Sequence, residues 1–180
     1  SSKFYQERLN SKTSIKINVL EWLACAEILT EKDLVSLCSS IPEPNSVIES
    51  LISDGVLVRK EGEMEFVESN FGEFIYSKIP SSQKSKMHFQ IAKELLKSDF
   101  FLLSNSEKVI LAHHLNRASE SISEPSEKIR FAELILEVAK IQKSEHAYSQ
   151  SKIFVNAALT ILKGLRWDEA NSVLFQAHLE

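Results

Sequence analysis

One short stretch breaks an otherwise helical pattern and constrains the fold more than any other. Between residues 56 and 67, Val56, Leu57 and Val58 are followed, across Glu61-Gly62, by Met64, Phe66 and Val67. Two short apolar runs joined by a glycine-bearing tight turn are the signature of a β-hairpin. On both sides of it the apolar spacing is that of helices. With only 4 Gly and 4 Pro among 180 residues, the chain has few turn formers, so helix is expected to dominate.

Before the hairpin, residues 15–26 place Ile17, Leu20, Leu23 and Ala24 on one helical face with Trp22 alongside. Thr30, with Asp33 three residues on, is expected to cap a short second helix carrying Leu34, Val35, Leu37 and Cys38. Pro42 and Pro44 are expected to stop it. Asn45 can cap a third helix with Val47, Ile48, Leu51 and Ile52 inward, ended by Asp54-Gly55. Three helices followed by a hairpin is the order of a winged helix-turn-helix.

After the hairpin no strand pattern returns. Asn70 with Glu73 reads as a capping box, and Pro80 as the first residue of a helix running to about residue 96. Ser104 with Glu107 caps another, Ser123-Glu124-Pro125 interrupts, and residues 129–143 continue. A last pair, 147–162 and 167–179, is separated by Lys163-Gly164. Helices of this length on short turns read as an antiparallel array of the tetratricopeptide (TPR)-like, α-solenoid kind. The expected fold is therefore mainly α: a lead-in over 1–14, a winged helix over 15–80, and a helical array over 81–180.

The chemistry of the side chains excludes several functions. A net charge of −4 argues against broad nucleic-acid binding, which depends on neutralising phosphates. Cys25 and Cys38 are too few for a metal cage and read as buried thiols, in keeping with a cytoplasmic location. No apolar run reaches the length of a membrane span, and the opening residues carry no signal-peptide core. The abrupt ends suggest a piece of a longer protein. His113 and His114 are adjacent and point to different helix faces, so no zinc motif forms; His88 and His114 are expected to pack between helices, bonded to backbone or acidic groups. The glycines stand alone, so no phosphate-cradling loop exists, and no serine lies in a nucleophile elbow. The chain is expected to be non-catalytic, with no cofactor or metal of its own.

DNA is disfavoured as a partner for a specific reason. The third helix, which would enter a major groove, offers Asn45, Ser46, Glu49, Ser50, Ser53 and Asp54 with no Lys or Arg, leaving Arg59-Lys60 as the nearby cations. Aromatic residues at helical spacing read as core. The run Phe100, Phe101, Leu102 and Leu103 cannot all face one side, so it fills the seam between the two parts or forms a partner surface; the seam is the preferred reading.

Several segments together resemble the region that follows the ATPase core in AAA-type or STAND ATPases of large bacterial signalling proteins, which carry serine/threonine kinase, sensor histidine kinase or cyclase outputs. The similarity runs from the aromatic strand at Phe66 through Phe74-Ile75-Tyr76-Ser77-Lys78-Ile79-Pro80 to Met87-His88-Phe89-Gln90-Ile91 and Leu95-Leu96. It continues at His114-Leu115-Asn116-Arg117, Phe131-Ala132-Glu133-Leu134, Ala147-Tyr148, Phe154 to Ile161-Leu162, Trp167 and His178-Leu179-Glu180. Where many relatives place a His-Asp pair after the strand, this chain has Glu68 and Ser69, which departs from the family's nucleotide-contacting pattern. The resemblance implies a regulatory, protein-interaction module that couples an ATPase core, which would hold ATP and magnesium upstream, to partner sensing and output. Its partners would be that upstream ATPase domain, downstream repeats and other proteins; the alternative is a DNA-binding transcriptional regulator. The residues expected to matter are structural: Tyr76, Pro80, His88 and His114 at the joint, and Tyr148, Phe154 and Trp167 in the array.

Overall fold

The computed structural model describes residues 2–26, 29–165, 171, 173 and 175–177. The chain is mainly helical with one small antiparallel sheet, and it divides into two compact units, 1–83 and 84–180.

The first unit begins with α1 (Ser2–Asn10), a helix inside the stretch read as lead-in, followed by α2 (Ser14–Ala26), β1 (Leu29–Thr30), α3 (Glu31–Leu37) and α4 (Pro44–Ser53). The hairpin β2 (Leu57–Lys60) and β3 (Glu63–Phe66) leads to α5 (Ser69–Lys78). Glu61 and Gly62 both take positive φ, 53° and 90°, which is what a two-residue hairpin turn matched to strand twist requires. The strand order is β1-β3-β2: Leu29 pairs with Met64 and Thr30 with Glu63, so a two-residue strand far upstream closes the sheet. Helix α2 packs on α3, α4 and α5. Its Leu20 and Leu23 are fully buried, as are Leu34, Ile48, Leu51, Met64 and Phe71.

Local capping follows the sequence in some places and departs from it in others. Thr30 Oγ1 accepts from the Asp33 amide, capping α3 as expected. Helix α4 is not capped by Asn45. It starts at Pro44, and the residue before it, Glu43, holds the left-handed region at φ 48°. Pro44 thus opens this helix instead of ending the previous one, because a proline loses nothing at a first-turn position. The Asn70–Glu73 capping box does not form either. Helix α5 begins two residues earlier, behind Glu68, with no side-chain cap.

Helix α6 (Ser81–Leu95) starts one residue after Pro80 and carries the chain into the second unit. A 3-10 turn (Phe100–Leu102) and α7 (Asn105–Arg117) follow, then α8 (Pro125–Ser144) and α9 (Tyr148–Ile161). The predicted box at α7 is complete: Ser104 Oγ accepts from the Glu107 amide and Glu107 accepts from the Ser104 amide. Helices α8 and α9 are joined by Glu145, His146 and Ala147, with His146 at φ 62°, and pack along their length. The core of this unit gathers Leu111, Leu115, Phe131, Ile135, Leu136, Phe154 and Ile161. The predicted helix 167–179 falls largely outside the described residues.

Candidate functional site

The described surface of the first unit carries several charged arrangements and a groove. The side chain of Arg59 on β2 is held by two helices. Its Nε and Nη2 donate to the two carboxylate oxygens of Glu31, at 2.7 and 2.9 Å, and Nη2 also donates to Glu49 on α4. This bidentate pairing holds the Glu31 carboxyl below its usual range, chiefly through the Arg59 hydrogen bonds. Lys60 lies 3.7 Å from Glu65. The hairpin's two cations therefore face acids.

Arg8 ties α1 to the rest of the unit. Nη1 meets Glu68 at 2.5 Å, Nη2 donates to the Gly55 carbonyl at 3.3 Å, and the guanidinium lies 4.7 Å from the centre of the Phe71 ring. Lys12 and Lys16 both donate to Asp54, whose carboxyl they hold below its usual range. Glu68 is thus an anchor for the first helix.

The groove, about 510 Å³, lies among α2, β3 and α5 and is lined by Leu23 and Ala24, Glu65 and Phe66, and Ser69, Gly72, Glu73 and Tyr76. Gly72 shapes it. A Cβ there would come within 2.7 Å of the Phe66 ring, so glycine lets the ring lie against α5. The lining residues are mostly apolar or aromatic, with Ser69, Glu65 and Glu73 among them, and include no Lys or Arg. With no cationic residue in the lining, the groove offers a nucleotide phosphate no counter-charge.

Tyr76 is half-buried in that groove, and Pro80 is exposed. His88 and His114, expected between helices, face each other: the two Nδ1 atoms are 2.9 Å apart and both rings are buried. One ring donates its N–H to the other. Burial first, and then the positive charges His88, Arg117 and His113 can carry, push His114 down to about 3. Phe154 is fully buried and meets the His113 ring edge-on at 5.0 Å. Tyr148, expected as an array contact, is 61% exposed, its hydroxyl 3.2 Å from His146 Nδ1. Trp167 lies outside the described residues.

The four-residue apolar run divides in two. Phe100 (7% exposed) and Leu103 (9%) join the core of the second unit, whereas Phe101 (80%) and Leu102 (83%) stand in solvent. A 3-10 turn explains the split, since residues three apart eclipse one another and the two between point away. Any partner surface here is therefore Phe101 and Leu102, without Phe100 or Leu103.

Among the described residues no cluster of three or more His, Cys, Asp or Glu is arranged to hold a metal, and no helix is long and apolar enough to cross a membrane. Sequence reasoning missed the groove and the Arg59 cluster because both join residues distant in the chain. Comparison with protein-family models, curated proteins and solved structures finds no match.

Proposed function

We propose that this chain is a non-catalytic regulatory and protein-interaction module of a multidomain signal-transduction ATPase or kinase. In this reading the first unit is a winged helix-turn-helix, and the second begins a TPR-like array. The interleaving of α2, α3 and α4 with a sheet of order β1-β3-β2 supports the first part. The paired α8 and α9 on a three-residue turn support the second.

The observation that carries the functional reading is the capture of Arg59. A winged helix that reads DNA aims cations from its third helix and wing at phosphates. Here α4 contains no Lys or Arg, and the wing arginine is bonded to Glu49 on that same helix and to Glu31. The surface that would meet DNA is acidic and internally paired. It suits contact with protein, and the coupling role follows from the family resemblance.

Fluorescence anisotropy with labelled random-sequence duplex DNA, and separately with the adjoining upstream segment of the parent protein, tests this across a salt series. Binding to the upstream segment without DNA binding is the expected result. DNA binding that weakens steeply with salt would overturn it in favour of a transcriptional regulator.

A further inference from the structure

We propose that α1 is a displaceable strap: it leaves its seat on α5 by local unfolding while the rest of the first unit stays folded, uncovering an aromatic face of α5. Nine residues are too few for a helix to persist in water by itself, so α1 is helical only while seated. The seat gives it little apolar burial. Leu9 is its one buried residue, whereas α2 buries six. Buried apolar surface is what makes a segment costly to open, so α1 belongs to the low-stability end of the unit and α2 to its core.

The contacts that hold α1 come from one face of the helix, since Tyr5, Arg8 and Leu9 stand at i, i+3 and i+4. The Tyr5 ring lies 5.6 Å from Phe71 and 5.8 Å from Phe74, both on α5. Arg8 bonds Glu68 and the Gly55 carbonyl and lays its guanidinium over the Phe71 ring. The Arg8 and Glu68 side chains keep 19% and 44% of their surface in water, where an ion pair is weak and salt screens it. Behind the helix the chain is pinned. Lys12 and Lys16 both bond Asp54, at 3.0 and 2.9 Å, and the Lys12 side chain is half as exposed as a loose surface lysine would need to swing free, at 13%. Opening therefore stops at Ser11, and α2 stays in place. With α1 displaced, Phe71 and Phe74 lose their cover and Glu68 loses its cation.

Native-state hydrogen exchange followed by NMR on the whole chain tests this. The amides of Glu7, Arg8 and Leu9 are expected to show protection factors at least about a hundredfold below those of Leu20 and Leu23 in α2. Arg8→Gln, which keeps a hydrogen-bond donor and loses the charge, is expected to lower the α1 factors a further threefold to tenfold, roughly, and to leave those of α2 within about twofold. Equal protection of the two helices, or an Arg8→Gln effect shared equally by both, would mean that α1 opens only with the whole unit and overturns the proposal. An Arg8→Gln variant with α1 as protected as before overturns it too, because the anchor would then not be Arg8. The readout is the opening of the helix itself, so it does not depend on which partner the unit meets.

Discussion

The buried histidine pair makes the second unit acid-sensitive in a defined window. An unfolded histidine takes up a proton near pH 6.5, whereas folded His114 does so only near 3. Between those values the unfolded chain holds a proton that the folded chain lacks, so stability falls as pH falls below about 6.5 and is unaffected by this group above it. The slope for one such proton is about 1.36 kcal/mol per pH unit, so lowering the pH from about 6.5 to about 5 removes roughly 2 kcal/mol. That is a sizeable part of the roughly 5–15 kcal/mol that holds a domain folded. Glu31, Asp54 and Glu107, whose carboxyls are held low by hydrogen bonds, lose their contributions only as pH falls below the ordinary carboxylate range. Glu21, raised by desolvation, acts with the opposite sign and nearer the window. Comparison with His114→Gln cancels such shared terms, because glutamine keeps a polar side chain against His88 and does not titrate. Urea melts across this range are expected to show the wild type losing roughly 2 kcal/mol more than the variant. Parallel curves for the two proteins would refute the reasoning.

Other substitutions probe the remaining claims. Phe154→Ala is expected to cost about 3–5 kcal/mol in urea melts, because a fully buried ring leaves a cavity against His113. Phe101→Ser combined with Leu102→Ser is expected to change stability by no more than about 0.5 kcal/mol, whereas Phe100→Ala alone destabilises severalfold more, which checks the division of that run. Gly72→Ala is expected to cost about 1–3 kcal/mol through its clash with the Phe66 ring, and a second change, Phe66→Leu, to recover part of the loss. Ser104→Ala, which removes one half of the capping box at α7, is expected to cost about 1 kcal/mol by thermal or urea denaturation.

Features set by neighbours a few residues apart were legible in the sequence. The hairpin turn at Glu61-Gly62, the Thr30 cap and the Ser104–Glu107 box each depend on a backbone geometry that two or three adjacent residues can satisfy by themselves. Local readings failed where two local solutions competed. Asn45 and Pro44 could each open α4, and Asn70 lost its helix start to Glu68 once α5 began beside the hairpin.

What only the tertiary structure decided are the contacts between segments far apart in the chain. Leu29–Thr30 is too short to announce itself as a strand, and becomes one because β3 presents free hydrogen-bonding groups to it. Arg59 and Lys60 read as free cations until Glu31, Glu49 and Glu65 came beside them. His88 and His114 carried no sign of each other across 26 positions, and Arg8 none of Glu68 across 60. Periodicity says which face of an element is buried, and that much the residues determined alone. Which other face it meets depends on how whole helices pack, and so the groove, the histidine pair and the captured arginine exist only in the folded chain.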